Sequence, residues 1–341
     1  MNKNLLEISK EKIEDKINEI LDTEINLYKD NIFIKSSLEE LKRLSQGGKR
    51  VRGYLVKLGQ ILCGIDDDSY VDLAAALEIF QTAILIHDDI IDEADKRRGM
   101  DTINTRYEGH LGVSKGICIG DMGFFISYKI ISELDIESDV KSEIMKIYAR
   151  TVYNTVNGEI TDVELPLQDI SYHKSMDEKI IYDIYVNKTA WYTIIGPLLI
   201  GASSVGIDKD KKEKIIEAGT NLGIAFQIKD DLLGLYSDVL TLGKTLNDIK
   251  EGKQTIIYKY AIDNANDKEL DIIKKYYGSP NLTIEENKII TDLFEKIGAK
   301  ANAEKLVEKY TNKGIKIMEE LDLYNKDLFI DFAHYLLKRK N

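Results

Sequence analysis

Two acidic clusters each close an apolar stretch of this chain. The first, Asp88-Asp89-Ile90-Ile91-Asp92, follows a segment from Val71 to His87 whose only charges are Asp72 and Glu78. On a helix Asp88 and Asp92, four residues apart, share one face about one turn from each other. Side-by-side carboxylates repel unless something positive lies between them. Oxygen-rich pairs suit magnesium, which keeps some waters and bridges to substrate phosphates. The second cluster, Asp230-Asp231, ends the apolar run through Phe226 and Ile228 in the same way. Gly234 stands where a third aspartate would fall at i+4. Either cluster alone could be a solvated acidic turn. Two, each on an apolar helix, point to a metal cluster in one cleft.

Basic residues complement them. Gly47-Gly48-Lys49-Arg50-Val51-Arg52 puts Lys49 and Arg52 three apart on one helical face. Its glycines let backbone approach closely at a helix start, where N–H groups and the dipole favour anions. Arg97-Arg98 follow the first acidic cluster, and arginine can grip phosphate bidentately. Lys188, Lys244 and Lys253 sit beside small or polar residues rather than on an amphipathic face. A lone lysine is usually a solvated charge. Together with the acids, these cations suggest two phosphorylated ligands, one held through metal and one directly by Lys and Arg.

The elements that position these groups should be helices. Only 3 prolines occur in 341 residues, where average usage of about 5% gives roughly seventeen, and proline breaks helix interiors. Pro166, Pro197 and Pro280 all lie outside the two aspartate-ending segments. Helical spacing predicts segments at 5–45, 49–64, 71–87, 114–133, 137–164, 177–203, 210–237 and 252–277, with two or more in 283–340, and strand alternation never persists. The segment 71–87, apolar almost all round, should be buried. Length suggests two domains or one large helical domain. Lys+Arg 47 against Asp+Glu 59 gives a net charge of −12, which argues against nucleic-acid binding through bulk charge. The charged N-terminus has no signal-peptide core. Thr189 to Ile207 carries no charge and imitates a membrane span, but Gly196, Pro197, Gly201 and Ser203-Ser204 interrupt it, so a buried core helix is expected. Cys63 and Cys118 cannot make a disulfide framework or a cysteine-rich zinc site. Both sit among apolar residues and read as buried free thiols, which fits a reducing cytoplasm.

Four elements in order resemble the trans-isoprenyl diphosphate synthases, or polyprenyl synthetases, over nearly the whole chain. GGKRVR at 47–52 is similar to the GGKRxRP element of that family, with Gly53 in place of proline. IHDDIIDEADKRRG at 86–99 resembles its first aspartate-rich motif with the trailing RRG. FQIKDDLLG at 226–234 resembles the second, in the form lacking the last aspartate that is common in geranylgeranyl-type members. GKTLNDIKEGKQT at 243–255 is similar to the GKxxxxDIxEGKxT element that follows.

The resemblance implies an all-α fold: one large antiparallel helical bundle around a central cavity, spanning residues 1–341 as a single domain, usually a homodimer. It implies a magnesium-dependent prenyltransferase that adds isopentenyl diphosphate to an allylic diphosphate, without an integral membrane segment and in the cytoplasm. Carried over by position, Asp88, Asp92 and Asp230 would coordinate the ions, three when substrate is bound, with Asp89 and Asp231 in support. Arg97, Lys188 and Lys244 would hold the allylic diphosphate, with Lys253 nearby. Lys49, Arg52, Gln81 and Arg98 would bind isopentenyl diphosphate. Thr189, Gln227 and the Lys188 carbonyl would face the allylic cation. The departing diphosphate would take the proton, so no histidine base is needed, and His87 reads as structural. Gly158-Glu159…Asp162 departs from the usual Gly-Gln…Asp. Lys338-Arg339-Lys340 would either close over the diphosphate or be a frayed tail.

Family members making fifteen-carbon products commonly carry aromatics four and five residues before the first aspartate. Here those positions are Ile84 and Ala83. Phe80, eight before Asp88, would lie roughly 12 Å down the helix and act as a floor permitting twenty carbons or more. Otherwise Phe80 is core packing, and a region around Phe124-Phe125 sets the limit. A class I terpene cyclase would not need Lys49, Arg52 and Arg98. A non-catalytic subunit of a heteromeric synthase usually loses one aspartate cluster, and both are present.

Overall fold

A computed structural model of the chain describes residues 3–236 and 247–338, and the expected helices form throughout. The run read as one helix over 5–45 is two, α1 (Lys3–Leu27) and α2 (Ile32–Leu44). Asn31 makes the break: its side chain accepts the N–H groups of Phe33 and Ile34, both at 3.2 Å, capping α2. After Gly47 and Gly48, both with positive φ, α3 runs Val51–Leu62. The next helix, α4 (Val71–Ile91), is buried on almost every side from Leu73 to Phe80, as its uniform apolarity dictates. A small antiparallel hairpin, β1 (Lys96–Arg97) and β2 (Met100–Asp101), then follows without any alternation having announced it.

Beyond the short α5 (Ile103–Arg106), α6 (His110–Glu133) packs along α4, and α7 (Ser138–Glu164) lies beside α6. Pro166 sits in the 3₁₀ turn ending α7. The short α8 (Ile170–Ser175) leads to α9 (Lys179–Ile184), which continues through a π-helical stretch, Tyr185–Ile195, into α10 (Gly196–Ser204). Pro197 falls in the first turn of α10, where its missing N–H matters least. Helix α11 (Lys209–Tyr236) carries the second aspartate pair. The expected single helix at 252–277 is two, Ile256–Asn264 and Asp267–Tyr276. A capping box between Asn266 and Glu269 starts the second. Helices Ile284–Ile297, Ala299–Glu319 and Lys326–Lys338 complete the described chain.

One core gathers α3, α4, α7, the π-helical stretch and α10; a second lies under α11 and the helices beyond Ile256; Val186 packs against both. Helices α3 and α10 meet almost backbone to backbone. A β-carbon on Gly59 would overlap the Leu198 carbonyl, and one on Gly201 would overlap the Val56 carbonyl. The uncharged stretch from Thr189 is interior, as expected, and no helix among the described residues is long and apolar enough to cross a membrane. Cys63 and Cys118 are free, but only Cys63 is partly covered. Cys118, expected to be buried, lies on the outward face of α6 and is exposed, because apolar neighbours in sequence fall on the other faces of a helix.

Candidate active site

The C-terminal turn of α4 puts Asp88 and Asp92 side by side, each about a fifth exposed. Asp89 turns inward and is buried. Arg97 on β1 spans the pair, donating from Nη2 to Asp88 at 2.7 Å and from Nε to Asp89 at 2.6 Å. Burial pushes the Asp89 carboxyl up to about 6, against the pull of Arg97. Burial also raises Asp92, as does the charge of Asp88, while Lys253 opposes them.

Two lysines bind the facing acids. Lys188, carried on the π-helical stretch, lies 2.6 Å from Asp162 and 2.8 Å from Glu159, both on α7. The departure at Glu159 therefore supplies a second carboxylate to that ammonium. Burial opposes the Lys188 charge, yet Asp162, Glu159 and Asp88 raise its pKa. Lys253 lies 3.2 Å from Glu251 and 3.8 Å from Asp92, and the charges of Asp92, Asp162, Glu251 and Asp248 overcome burial to lift it well above its ordinary value. Glu251 is itself pushed up to about 7 by burial.

On α11, Asp230 is half-buried and Asp231 is buried. Tyr185 donates its hydroxyl to one Asp231 oxygen at 2.5 Å, and Gln227 donates to the other at 2.8 Å. The Ile256 N–H donates to the Tyr185 hydroxyl at 2.9 Å, and Thr189 donates to Gln227 at 2.5 Å. Burial raises Asp231 to about 7 despite these donors. Asp231 thus braces Thr189 and Gln227. A β-carbon at Gly234 would overlap the Asp248 carboxylate, so the absent third aspartate leaves room for an acid from the following segment.

Hard carboxylate oxygens are the donors magnesium takes. Among the described residues, no three acidic or other ligating side chains close on one ion by themselves. Magnesium is usually held by one or two carboxylates plus waters and substrate phosphates, and Asp88 with Asp92 is such a pair. The residues therefore fit the ion.

A second, basic pocket of about 640 Å³ opens beside the first site, lined by Gly47, Gly48, Lys49, Arg52, Gln81 and Arg98 and covered partly by Tyr335 and Leu336. Arg98 and Gly99 have φ of 53° and 77°, the two left-handed positions of a type I′ hairpin turn. That turn sends Arg97 to the aspartates and Arg98 to the other side. The Arg98 guanidinium lies where a β-carbon on Gly48 would meet it at 3.2 Å. Arg52 donates to Thr193 at 2.9 Å and stacks 3.7 Å above the Tyr192 ring centre. Tyr192 also meets Phe80 in an edge-type contact, ring centroids 5.8 Å apart, and Phe80 packs against Phe124 and Tyr148 as well. His87 sits off the site, its ring against Phe124 and its Nε2 3.1 Å from the Ile117 carbonyl.

Lys244 lies outside the described residues, as do the side chains of Lys338-Arg339-Lys340. Sequence reasoning gave no role to Glu78, Tyr185, Asp248 or Glu251. Glu78 carried a signal as an acid inside an otherwise apolar helix, and Asp248 and Glu251 stand at the acidic positions of the GKxxxxDIxEGKxT element.

Helices around a cavity, with an acidic rim and a basic pocket beside it, define a prenyl diphosphate synthase, a trans-prenyltransferase. Known proteins agree. The polyprenyl synthetase family model matches residues 35–296. The chain is 30% identical over 278 residues to the geranylgeranyl diphosphate synthase of Sulfolobus acidocaldarius, covering 81% of this chain and 82% of that one. It is 30% identical over 246 residues to a short chain isoprenyl diphosphate synthase of Methanocaldococcus jannaschii, covering 72% of each. A geranylgeranyl pyrophosphate synthase of Corynebacterium glutamicum, solved with isoprenyl diphosphate and magnesium, superposes with a TM-score of 0.89 at 26% identity, covering 98% of this chain and 99% of that one. The chain belongs to the polyprenyl synthetase family.

Proposed function

We propose that this enzyme uses magnesium to join isopentenyl diphosphate head-to-tail, in trans geometry, to an allylic diphosphate, giving geranylgeranyl diphosphate or a longer product. The observation that carries it is the division of labour between two consecutive residues. Arg97 turns to Asp88 and Asp89, while Arg98 turns to Gly48 and the Gln46 carbonyl, 3.4 Å away. A metal-type anion site and a Lys/Arg anion site therefore lie back to back, as two diphosphate substrates require.

The allylic diphosphate would bind through ions held by Asp88, Asp92 and Asp230, three in the full complex, with Arg97, Lys188, Lys244 and Lys253 around it. When bound, magnesium supplies Lewis-acid stabilisation of the charge growing on the leaving diphosphate. Fixed cations at Arg97, Lys188 and Lys253 act on the same charge. Thr189 and Gln227, held by the Asp231 and Tyr185 bonds, present oriented dipoles to the allylic cation. Lys49, Arg52, Gln81 and Arg98 hold isopentenyl diphosphate so that its double bond attacks the cation carbon. The carbon–oxygen bond has then broken, a carbon–carbon bond forms, and the departing diphosphate takes the proton. Phe80, ringed by Phe124, Tyr148 and Tyr192, supports a floor that allows about twenty carbons or more.

The same reading takes the chain as one domain and a homodimer. Helices α6 and α7 expose Ile117, Phe125 and Tyr128 beside Tyr153, Val156 and Ile160, at helical spacing. Phe125 is 72% and Tyr153 67% exposed, and a continuous apolar face of this kind suits a second copy. The free cysteines suit a reducing cytoplasm.

The test is direct. Purified protein, magnesium and labelled isopentenyl diphosphate are incubated with each allylic primer, and the products are separated by chain length. Elongation that stops on chelation supports the proposal; no elongation with any primer overturns it in favour of a non-catalytic subunit. Light scattering on Phe125→Asp tests the dimer, which should dissociate.

A further inference from the structure

We infer that Glu78, a buried acid on α4, is a positioning residue that fixes the basic pocket by bracketing Arg52; the inference rests on that pocket being the isopentenyl diphosphate site.

Glu78 is the one charge in the buried stretch of α4 from Leu73 to Phe80, and it is 3% exposed. A carboxylate there is costly unless it is bonded, and both oxygens are engaged. Oε1 accepts the Gly53 N–H at 2.9 Å. Oε2 lies 3.6 Å from Nη1 of Arg50. These partners fall on either side of Val51-Arg52, so one side chain grips the backbone after Arg52 and the side chain before it.

Arg50 needs such a grip. It is 4% exposed and has φ 51° and ψ 40°, a left-handed conformation that a residue with a side chain takes only when its surroundings impose it. Three contacts impose it. Its Nη2 donates to the Ser45 carbonyl at 2.6 Å, its Nε lies 3.4 Å from Glu14, and Glu78 faces Nη1. Arg50 is also the N-cap of α3, and its side chain gives the helix no capping bond. Glu78 supplies that bond from α4, taking one of the orphan N–H groups of the first turn. Gly53 makes this possible: a proline in its place would have no N–H to give.

With Arg50 paired to Glu78 in the pocket wall and Gly53 tied down, Lys49 and Arg52 face the same pocket. Gln81, one turn along α4 from Glu78, lines the same pocket, and Asp88 lies two turns further. Glu78 thus locks the anion-binding loop to the helix that bears the first aspartate cluster. Glu78 itself lines the pocket, and its pairing with Arg50 and Gly53 offsets the repulsion it would otherwise exert on a diphosphate.

Steady-state kinetics with each substrate varied separately tests this in the full-length enzyme. Glu78→Gln keeps the volume and an acceptor for Gly53 but removes the charge facing Arg50. It should raise KM for isopentenyl diphosphate about tenfold, the scale expected when a buried ion pair is lost and the bond from Gly53 is left with a neutral acceptor, with KM for the allylic primer within about twofold. Glu78→Asp should recover part of the loss. Arg52→Ala is the control for the site and should raise the same KM selectively. If Arg52→Ala does so while Glu78→Gln leaves both KM values unchanged, or moves both equally with a lowered melting temperature, the positioning role is overturned. If Arg52→Ala has no selective effect, the assignment of the pocket fails instead. Should Glu78→Gln not fold, isothermal titration of Glu78→Asp with inorganic diphosphate decides: weaker binding than the parent supports the role, and equal binding overturns it.

Discussion

Arg97 on the hairpin and Asp88 at the end of α4 are joined by a bond of 2.7 Å, while the other arm of the same guanidinium holds Asp89 at 2.6 Å. The fork is planar and bidentate, which lysine cannot copy. Arg97→Lys should therefore raise KM for the allylic primer about tenfold and leave KM for isopentenyl diphosphate nearly unchanged. Equal changes in both would mean that Arg97 serves the two sites alike.

Lys188 is the shared counter-charge of Glu159 and Asp162. Removing one partner from a largely buried ion pair leaves the other unpaired, at a cost of about 3 kcal/mol. Lys188→Ala should lower unfolding stability by that order in urea titrations. Adding Glu159→Gln should restore part of it, because one stranded charge is then gone. Independent, additive effects of the two substitutions would rule out the coupling.

Phe80 touches three aromatic rings, and on the proposed reading its truncation would open the base of the cavity. Phe80→Ala should shift the product distribution toward longer chains and destabilise the fold by about 3 kcal/mol. Chromatography of the products reads the first effect. An unchanged distribution in a folded variant would locate the floor elsewhere.

Gly234 invites an apparent repair. Restoring the missing aspartate with Gly234→Asp should reduce activity rather than improve it, since the new side chain would collide with the Asp248 carboxylate and place like charges together. A rise in turnover or in magnesium affinity would contradict this.

Much of the helical frame was legible in sequence because α4 is almost uniformly apolar up to its acidic end, and the later part of α11 carries an apolar run into Asp230-Asp231. The boundaries at Asn31 and Asn266 were missed because a single capping side chain, with no proline or glycine nearby, stops one helix and starts the next. The hairpin at Lys96–Asp101 is too short to show alternation, yet its left-handed Arg98 separates the two anion sites. The motifs also named the residues that meet at the rim. They could not show that Glu159 shares Lys188, that Tyr185 braces Asp231, or that Asp248 lies against Gly234, because these partners come from distant segments and meet only after packing. Cys118 was misjudged for the opposite reason: its neighbours in sequence are apolar, but they point elsewhere.

Gly59 and Gly201 also bear on how such a chain can change over generations. Helix α3 begins at the basic pocket, and α10 continues from the stretch carrying Lys188, so the contact between these glycines sets the spacing between that pocket and Lys188. Main chain touches main chain there, leaving no side chain to trim or extend. On the proposed reading, drift in the cavity wall would lengthen or shorten the product while the spacing of the two diphosphate sites stays the same.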